Sequence, residues 1–309
     1  MTVSYVVTLY NKRAYIGGVL DSLLREWEQT GGEIVVVDDG STDGSRAVVE
    51  AVAAGRPHVR LIVKDNGGVA SATNAGFAAA AFPLVRFMDA DDTAVPGSTR
   101  RLVRALDEHG AGLAFGGWRG YDGDGAALAF PDPSAAPSRR VDDPLRLALS
   151  RQAFVPSSMI AVREAIAPCF PLPEGYRTSQ DFVMSARFAQ VTGFAKVDAT
   201  VCFLPEGVAG RLSGSLARMY SDSALLLADE WERAPGDWPA PYRRHAVRRQ
   251  AWRAYLYATR HLPGNRGQAA WLMVRRALGA LPWGSPGPAV LRRIAATYAG
   301  ALRAPGRYP

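Results

Sequence analysis

Short apolar segments alternate with longer, helix-like segments over the first 115 residues, and this alternation restricts the fold more than any other feature. The runs SYVVTLY, EIVVVDD and PLVRFMD have the length and the β-branched content of buried strands. Helical patterns of about 10–15 residues lie between such runs. Strands separated by helices build βαβ units, so the sequence predicts an α/β fold with a mainly parallel sheet. The predicted strands are 4–10, 33–39, 59–65, 83–89 and 111–118.

The pattern changes after residue 207, where helical periodicity dominates. Helices are predicted over 213–232, 241–262, 266–280 and 288–302. We therefore expect two domains, an α/β domain over residues 1–210 and a helical region over residues 211–309. With 309 residues, 48% of them apolar, the chain is long enough to bury a full core.

Signals for a compartment are few. No run approaches the ~18 consecutive apolar residues of a membrane span, and the N-terminus has no basic segment followed by a cleavable apolar one. The two cysteines, Cys169 and Cys202, are too few for a disulfide framework and lack metal-ligand spacing. The expected location is therefore the cytoplasm.

Charge is distributed unevenly along the chain. The net charge is +7, yet residues 239–309 contain 13 arginines and no aspartate, glutamate or lysine, so the rest of the chain is net acidic. A strongly basic tail suggests an anionic partner. Packing of the tail on the acidic part of the chain is the alternative, and the sequence leaves both open.

Polar side chains follow three of the predicted strands at the point where each strand ends. Ligands collect at the carboxyl ends of the strands in an open parallel sheet, so these groups should line one crevice. A single acidic strand end is often only a turn or a helix cap, whereas three converging ones indicate a binding site. The residues are Thr8, Tyr10 and Asn11, then Asp38 and Asp39, then Asp89, Asp91 and Asp92.

The DADD segment favours a hard divalent cation. Asp89 and Asp91 are two positions apart, so both would lie on one side of an extended strand end. Mg²⁺ or Mn²⁺ typically takes one or two carboxylates, and phosphate oxygens and water complete its octahedron. A calcium site or a solvated turn is the alternative, although the spacing does not fit an EF-hand loop.

Other nucleotide-binding motifs are missing from the sequence. No GxGxxG follows the first strand, and no GxxxxGK[ST] occurs. The glycine-rich segment DNGGVASATNAG follows the third strand instead. There it would let a helix N-terminus approach a ligand closely, which makes Asn66 and Gly68 candidate ligand-binding residues. A pure packing role for these glycines is equally open.

Four motifs together resemble family 2 glycosyltransferases with the GT-A fold, a Rossmann-like α/β fold. They are VVTLYN, VVVDDGSTDGS, NGGVASATNAG and FMDADD, in the order and spacing of that family, and the resemblance covers about residues 3–210. It implies transfer of a sugar from a nucleotide-sugar donor, usually a UDP-sugar, with inversion at the anomeric carbon.

The resemblance also implies roles for individual residues. The Thr8–Asn11 segment and Asp39 would hold the nucleoside, with Asp39 accepting a hydrogen bond from the base. Asp89 would lie by the ribose and the water shell of the metal, Asp91 would ligate Mg²⁺ or Mn²⁺, and Asp92 would orient that shell. Asp181 matches the catalytic base of the family, in the first turn of a helix over 178–190 for which Thr178 or Ser179 is a candidate N-cap. Simple helix capping is the alternative role of Asp181.

The sequence departs from the family pattern in three places. Gln180 stands where the family often has glutamate before the base, so we expect altered acceptor binding with catalysis retained. Thr73 replaces an arginine that commonly contacts the nucleotide, which puts donor affinity or base preference in doubt. The QxxRW signature of processive members is missing, which favours addition of one sugar per encounter. Arg211 is a candidate contact to the diphosphate, with a surface role as the alternative.

Arginines and aromatic residues in the segment 242–262 suit an anionic bilayer surface, where rings lie at headgroup level and arginines contact lipid phosphates. Such binding would suit a lipid-linked acceptor and a peripheral location at the inner face of the cell membrane. No nucleic-acid-binding module is visible, so nucleic acid is not expected. Two other classes of function are the alternatives. Gln180 and Thr73 allow a non-catalytic nucleotide-sugar-binding or scaffolding protein. A nucleotidyltransferase would usually open with a glycine-rich, basic phosphate loop, which this chain lacks.

Overall fold

The computed structural model describes residues 2–121, 132–150, 153–176, 178–206, 216–233, 239–261 and 288–296. The chain divides into two compact units. The α/β unit contains residues 1–144, 154–175 and 187–209, and the helical unit contains residues 145–153, 176–186 and 210–309. Two segments from before residue 210 thus belong to the helical unit. The separate C-terminal domain from residue 211 stays a prediction.

Strands and helices alternate through most of the α/β unit, as the sequence predicts. The strands are β1 (Val3–Leu9), β2 (Gly32–Asp38), β3 (Val59–Val63), β4 (Leu84–Asp89), β5 (Thr93–Ala94), β6 (Leu113–Tyr121), β7 (Ser138–Arg140), β8 (Met159–Val162) and β9 (Phe194–Pro205). The helices are α1 (Arg13–Thr30), α2 (Ser45–Ala53), α3 (Val69–Ala79), α4 (Ser98–His109) and, after α5 of the helical unit (Pro144–Ser150), the short α6 (Arg163–Ile166).

These strands form one nine-stranded sheet in the order β3-β2-β1-β4-β8-β6-β9-β5, with β7 paired to β9. The strands β1 to β4 pair in parallel, which places β1 between β2 and β4. The strands β5, β7 and β8 pair antiparallel with their neighbours. β5 and β7, of two and three residues, are too short to give a periodic signal, and the sequence did not predict them.

The valines of β2 show why this part of the sheet is buried on both faces. Val36 belongs to the cluster formed with α1 and α4, and Val35 and Val37 pack with α3. Successive strand residues point to opposite faces, so an uninterrupted apolar run fits a strand covered on both sides. α3 approaches closely because Gly76 has no side chain: a Cβ there would lie 2.3 Å from Val6 Cγ1.

The helical unit is held by a separate apolar cluster. It consists of α5, the first half of α7 (Gln180–Val191), α8 (Leu216–Arg233), α9 (Ala240–His261) and α10 (Pro288–Ala296), with buried residues that include Phe182, Leu227, Val247 and Ile294. None of the helices in the described part of the chain combines the length and apolar character needed to cross a bilayer. The helix predicted over 266–280 and Arg211 lie outside the described residues.

Candidate active site

The carboxyl ends of β1, β2 and β4 lie side by side, as expected from the sequence. Leu9 is in register with Asp38 of β2, and Thr8 is in register with Asp89 of β4. Thr8 Oγ1 donates a hydrogen bond of 3.4 Å to Asp89 Oδ1, and the Asp39 amide donates to the Leu9 carbonyl at 2.8 Å. The parallel register thus brings the polar groups of three strand ends to one edge of the sheet.

The turn after β1 is tied to the turn after β2 through Asn11. The Asn11 amide donates to Ser41 Oγ at 3.0 Å, and the Thr42 amide donates to Asn11 Oδ1 at 2.8 Å. Asn11 has a φ of 51°, a left-handed conformation that non-glycine residues rarely adopt. The preceding Tyr10 is 48% exposed. The turn after β1 is therefore fixed by Asn11, and the tyrosine before it is accessible to solvent.

The glycine-rich segment before α3 surrounds the Asp39 carboxylate. The Gly67 amide donates to Asp39 Oδ1 at 3.0 Å, and the Gly68 amide donates to Oδ2 at 2.8 Å. Lys64 Nζ lies 2.7 Å from Oδ1, and Asn66 Nδ2 donates to the Asp39 carbonyl at 3.0 Å. Both carboxylate oxygens of Asp39 are thus held by donors of the protein.

Glycine is needed at two positions of this segment for different reasons. A Cβ on Gly67 would lie 2.7 Å from Ser71 Oγ and 2.9 Å from Lys64 Nζ, so a side chain would displace the groups around Asp39. Gly68 has a φ of 86°, which L residues rarely adopt. The two glycines therefore allow the amides of residues 67 and 68 to point at one carboxylate.

The acidic segment leaves the extended conformation at once. β4 ends at Asp89, and the Asp92 amide donates to the Asp89 carbonyl at 3.1 Å, which closes a turn. The expectation that Asp89 and Asp91 project from one side of an extended strand is wrong, because the alternation of sides requires extended backbone through Asp91. Asp91 and Asp92 are both buried, with 7% and 2% of their surface exposed.

Ser157, which the sequence did not single out, fixes this acidic turn. It lies on a single 3₁₀ turn, Pro156–Ser158, that comes directly before β8, and it is fully buried. Its Oγ accepts from the Asp89 amide at 3.0 Å and donates to Asp92 Oδ2 at 2.6 Å. One hydroxyl thus sets the distance between the first and last aspartates of the motif.

Lys12 is the second residue that the sequence did not reveal. Its Nζ lies 2.7 Å from Asp91 Oδ2, and both side chains are largely shielded from solvent, with 18% and 9% exposed. The ammonium offsets part of the repulsion among the three aspartates. The presence of a lysine one position after Asn11 was visible in the sequence, but its direction depends on the turn geometry.

Two further titratable groups near the acidic turn remain neutral at neutral pH. Burial raises the pKa of the Cys202 thiol, and the negative charge of Asp92 raises it further. Burial also raises the pKa of Tyr121, against a hydrogen bond from Thr93, and the carboxylates of Asp92 and Asp91 add to the rise. Neither group therefore adds negative charge to the acidic turn.

The acidic turn fits a divalent cation that is completed by a substrate. Among the described residues no three His, Cys, Asp or Glu side chains converge into a metal site of their own. A hard cation such as Mg²⁺ or Mn²⁺ needs only one or two carboxylates when phosphate oxygens and water supply the rest. Asp89 and Asp91 provide that number, with Asp92 held by Ser157.

Gln180 and Asp181 begin α7 in the helical unit. Ser179 before them has a φ of 69°, and among the described residues only it and Asn11 combine a side chain with positive φ. Its Oγ donates to the Met219 carbonyl at 3.0 Å, while the Thr178 amide and hydroxyl both donate to Asp222. The side chains of Thr178 and Ser179 therefore anchor the segment to α8, and the Ser179 carbonyl accepts from the amides of Phe182 and Val183 at 3.1 and 3.3 Å as α7 begins. A capping role of either hydroxyl stays a prediction. The role of Asp181 stays a prediction.

Comparisons with known proteins agree with the fold and the motifs. The glycosyl transferase family 2 model matches residues 4–163. The succinoglycan biosynthesis protein ExoO of Rhizobium meliloti is 30% identical over 243 residues, which are 74% of this chain and 67% of that protein. In another curated relative the aligned region is only 33% of the relative's own length.

Two solved structures share the fold. TarS 1–349 of S. aureus, crystallised in complex with UDP-GlcNAc, has a TM-score of 0.69 and 16% identity, covering 97% of this chain and 92% of that one. The mannosyltransferase PcManGT of Pyrobaculum calidifontis, in complex with GDP-Man and Mn²⁺, has a TM-score of 0.55 and 21% identity, covering 97% and 85%. The GT-A fold expected from the resemblance is confirmed, and the chain belongs to glycosyl transferase family 2.

Proposed function

We propose that this protein is an inverting, metal-dependent glycosyltransferase that moves a sugar from a nucleotide-sugar to a hydroxyl of a glycan or lipid-linked acceptor. The observation that carries the proposal is the meeting of three strand ends, where Asp39 and the Asp89–Asp92 turn lie on either side of Thr8. A UDP-sugar is the first donor to test. TarS and PcManGT, which share the fold, bind UDP-GlcNAc and GDP-Man.

The nucleoside would bind beside the turn after β1. The exposed ring of Tyr10 suits stacking on a base, and Asp39 is an acceptor for a ring N–H. Thr8, Asn11, Asn66 and Gly68, which take part in the hydrogen bonds that join the three loops, would form the wall around the nucleoside. The donor contact assigned to Arg211 stays part of this proposal.

Asp91 and Asp89 would hold Mn²⁺ or Mg²⁺ against the diphosphate of the donor. When bound, the cation stabilises the negative charge that develops on the leaving nucleoside diphosphate. Asp92, held by Ser157, would keep the turn in place. PcManGT was solved with Mn²⁺, which makes this ion the first to test.

Asp181 would act as the catalytic base. The acceptor oxygen attacks the anomeric carbon, the bond from that carbon to the diphosphate oxygen breaks, and the hydroxyl proton passes to the Asp181 carboxylate. A single displacement of this kind inverts the configuration and needs no covalent nucleophile. Gln180 would hydrogen-bond an acceptor hydroxyl, and the missing processive signature favours release after one transfer.

The basic helix α9 suits an anionic membrane surface. Arg243, Arg249 and Arg253 lie over aromatic rings of the helical unit, at 5.2–5.5 Å from the ring centroids. Arg244 and Arg248 are exposed one turn apart, and the next position of that stripe is Trp252, which is 60% exposed. A stripe of two arginines and one tryptophan would contact lipid phosphates and headgroups. Flotation with anionic liposomes tests it, with the variant R244Q/R248Q/W252A expected to stay unbound.

Donor turnover tests the proposed reaction. Purified protein with Mn²⁺ and UDP-, GDP- or dTDP-sugars should release nucleoside diphosphate, and EDTA should stop the release. Asp91→Asn should abolish Mn²⁺-dependent donor binding. Asp181→Asn should keep donor binding and lower transfer about 10²- to 10⁴-fold, the usual contribution of a general base.

A matched control for the base is Glu232→Gln, which removes an exposed carboxylate of the same unit that pairs with Arg292. Full transfer by Asp181→Asn would show that the base lies elsewhere. Tight donor binding without any turnover in the wild type would favour the second candidate, a non-catalytic nucleotide-sugar-binding protein.

A further inference from the structure

Lys12 has a fixed backbone and a flexible, paired side chain. Its amide donates to Ser45 Oγ at 2.9 Å, and its carbonyl accepts from the amides of Tyr15 and Ile16 at 3.0 Å as α1 begins. From this anchored position the four-carbon side chain carries the ammonium to Asp91 Oδ2. The ammonium is therefore the part of Lys12 that is able to change partner while the turn stays in place.

The ion pair places a positive charge on the carboxylate that is the proposed metal ligand. Asp91 is 7% exposed, and the ammonium 2.7 Å from its Oδ2 takes one acceptor site of that oxygen and repels an incoming cation. A cation that binds without a donor therefore competes with Lys12. A cation that arrived together with a diphosphate would offer the ammonium phosphate oxygens as new acceptors.

We propose that Lys12 is a positioning residue that holds Asp91 in the donor-free protein and transfers its ammonium to the diphosphate of the donor, so that metal and donor bind cooperatively. Because this exchange takes place at the proposed metal ligand, the inference rests on the proposed function. By linkage, the nucleotide raises metal affinity by the same factor as the metal raises nucleotide affinity.

Mn²⁺ titration measures this coupling without any turnover. The free Mn²⁺ signal in electron paramagnetic resonance gives the dissociation constant with and without saturating UDP, for the wild type and for Lys12→Met. Without UDP, Lys12→Met should bind Mn²⁺ about tenfold more tightly, since no ammonium competes for Asp91. With UDP this advantage should vanish or reverse, because the variant has lost a diphosphate partner.

Arg13→Met is the matched control for charge. Arg13 is the next residue, is exposed, and is equally cationic, so a general field effect would change both variants alike. Unchanged Mn²⁺–UDP coupling in Lys12→Met, or an equal change in Arg13→Met, would refute the role of Lys12 and leave the metal site standing. Absence of Mn²⁺ binding in all three proteins, even with UDP, would refute the metal part of the proposed function and this inference together.

Discussion

The guanidinium of Arg86 lies 3.5 Å from the carboxylate of Glu26 inside the core, and neither side chain is accessible to solvent. Arg86 also donates to the Thr99 hydroxyl at 2.6 Å and to the carbonyls of Ser157 and Val201 at 3.4 and 3.1 Å. Glu26 accepts from backbone amides at the start of α4. This buried ion pair therefore joins α1, α4 and β4 to the turn that carries Ser157.

Loss of this pair should be costly. Arg86→Met leaves the Glu26 carboxylate buried without its cation, and breaking a buried pair typically costs about 3–5 kcal/mol. Urea unfolding should show that loss in the free energy of unfolding. Arg139→Met is the control, because its pair with Asp198 is exposed and contributes at most about 1 kcal/mol. Equal losses of unfolding free energy in the two variants would show that the buried pair of Arg86 is no more stabilising than an exposed pair.

Ser157→Ala should weaken donor binding. The variant removes the acceptor of the Asp89 amide and the donor to Asp92, so the acidic turn loses the contact that fixes its two ends. We expect a roughly tenfold increase in the dissociation constant for the Mn²⁺–donor complex, since a hydrogen bond to a charged group contributes about 1.5–3 kcal/mol. Calorimetric titration measures it.

Ser158→Ala is the control for Ser157. This neighbour is equally buried, but its hydroxyl donates to the Val155 carbonyl within the same turn and contacts no aspartate of the described segments. Its donor affinity should stay at the wild-type value. If both alanine variants bound the donor like the wild type, Ser157 would have no positioning role.

The strand ends were predictable because they depend on local patterns and one topological rule. The apolar runs ending at Leu9, Asp38 and Asp89 are long enough to identify, and parallel pairing then brings the ends together. Ser157 and Lys12 were not predictable in this way. Ser157 reaches Asp92 across 65 residues, and no periodicity encodes that distance.

Lys12 shows a second limit of sequence reasoning. Its ammonium reaches Asp91 because Asn11 adopts a left-handed turn that redirects the chain after β1. The same limit explains the wrong expectation for Asp89 and Asp91, since the turn at Ala90 ends the alternation of sides. Directions of side chains beyond a strand end depend on φ and ψ of one or two residues, which composition and spacing leave undetermined.

Gly76→Ala should destabilise the protein although alanine favours helices. The added Cβ would lie 2.3 Å from Val6 Cγ1, and overpacking of this kind costs about 1–3 kcal/mol. Gly18→Ala in α1 is the control, since no atom beyond its chain neighbours and the backbone of its own helix lies within 4 Å of the position that its methyl group would take. This variant should stabilise the protein by up to about 1 kcal/mol. Val6→Ala should relieve the cost of Gly76→Ala in a double-mutant cycle of unfolding free energies. An additive cycle would show that α3 does not press on β1 at this point.

Mild acid should destabilise the protein through His58. Its ring stacks on Trp27 with the centroids 3.6 Å apart, and its Nε2 is buried without a hydrogen-bond partner in the described part of the chain. Burial lowers the pKa of His58 below its ordinary value of about 6.5, and the charge of Arg56 lowers it further. The unfolded chain therefore takes up this proton first as the pH falls, so the free energy of unfolding declines from about pH 6.5 until the folded-state pKa is passed.

His58→Phe keeps a stacked ring and removes the proton site. Urea titration at each pH should therefore show a smaller decline of its unfolding free energy than that of the wild type between pH 7 and 5.5. Arg56→Gln should reduce the decline in the wild-type background, whereas parallel pH profiles for wild type and His58→Phe would rule His58 out as its source.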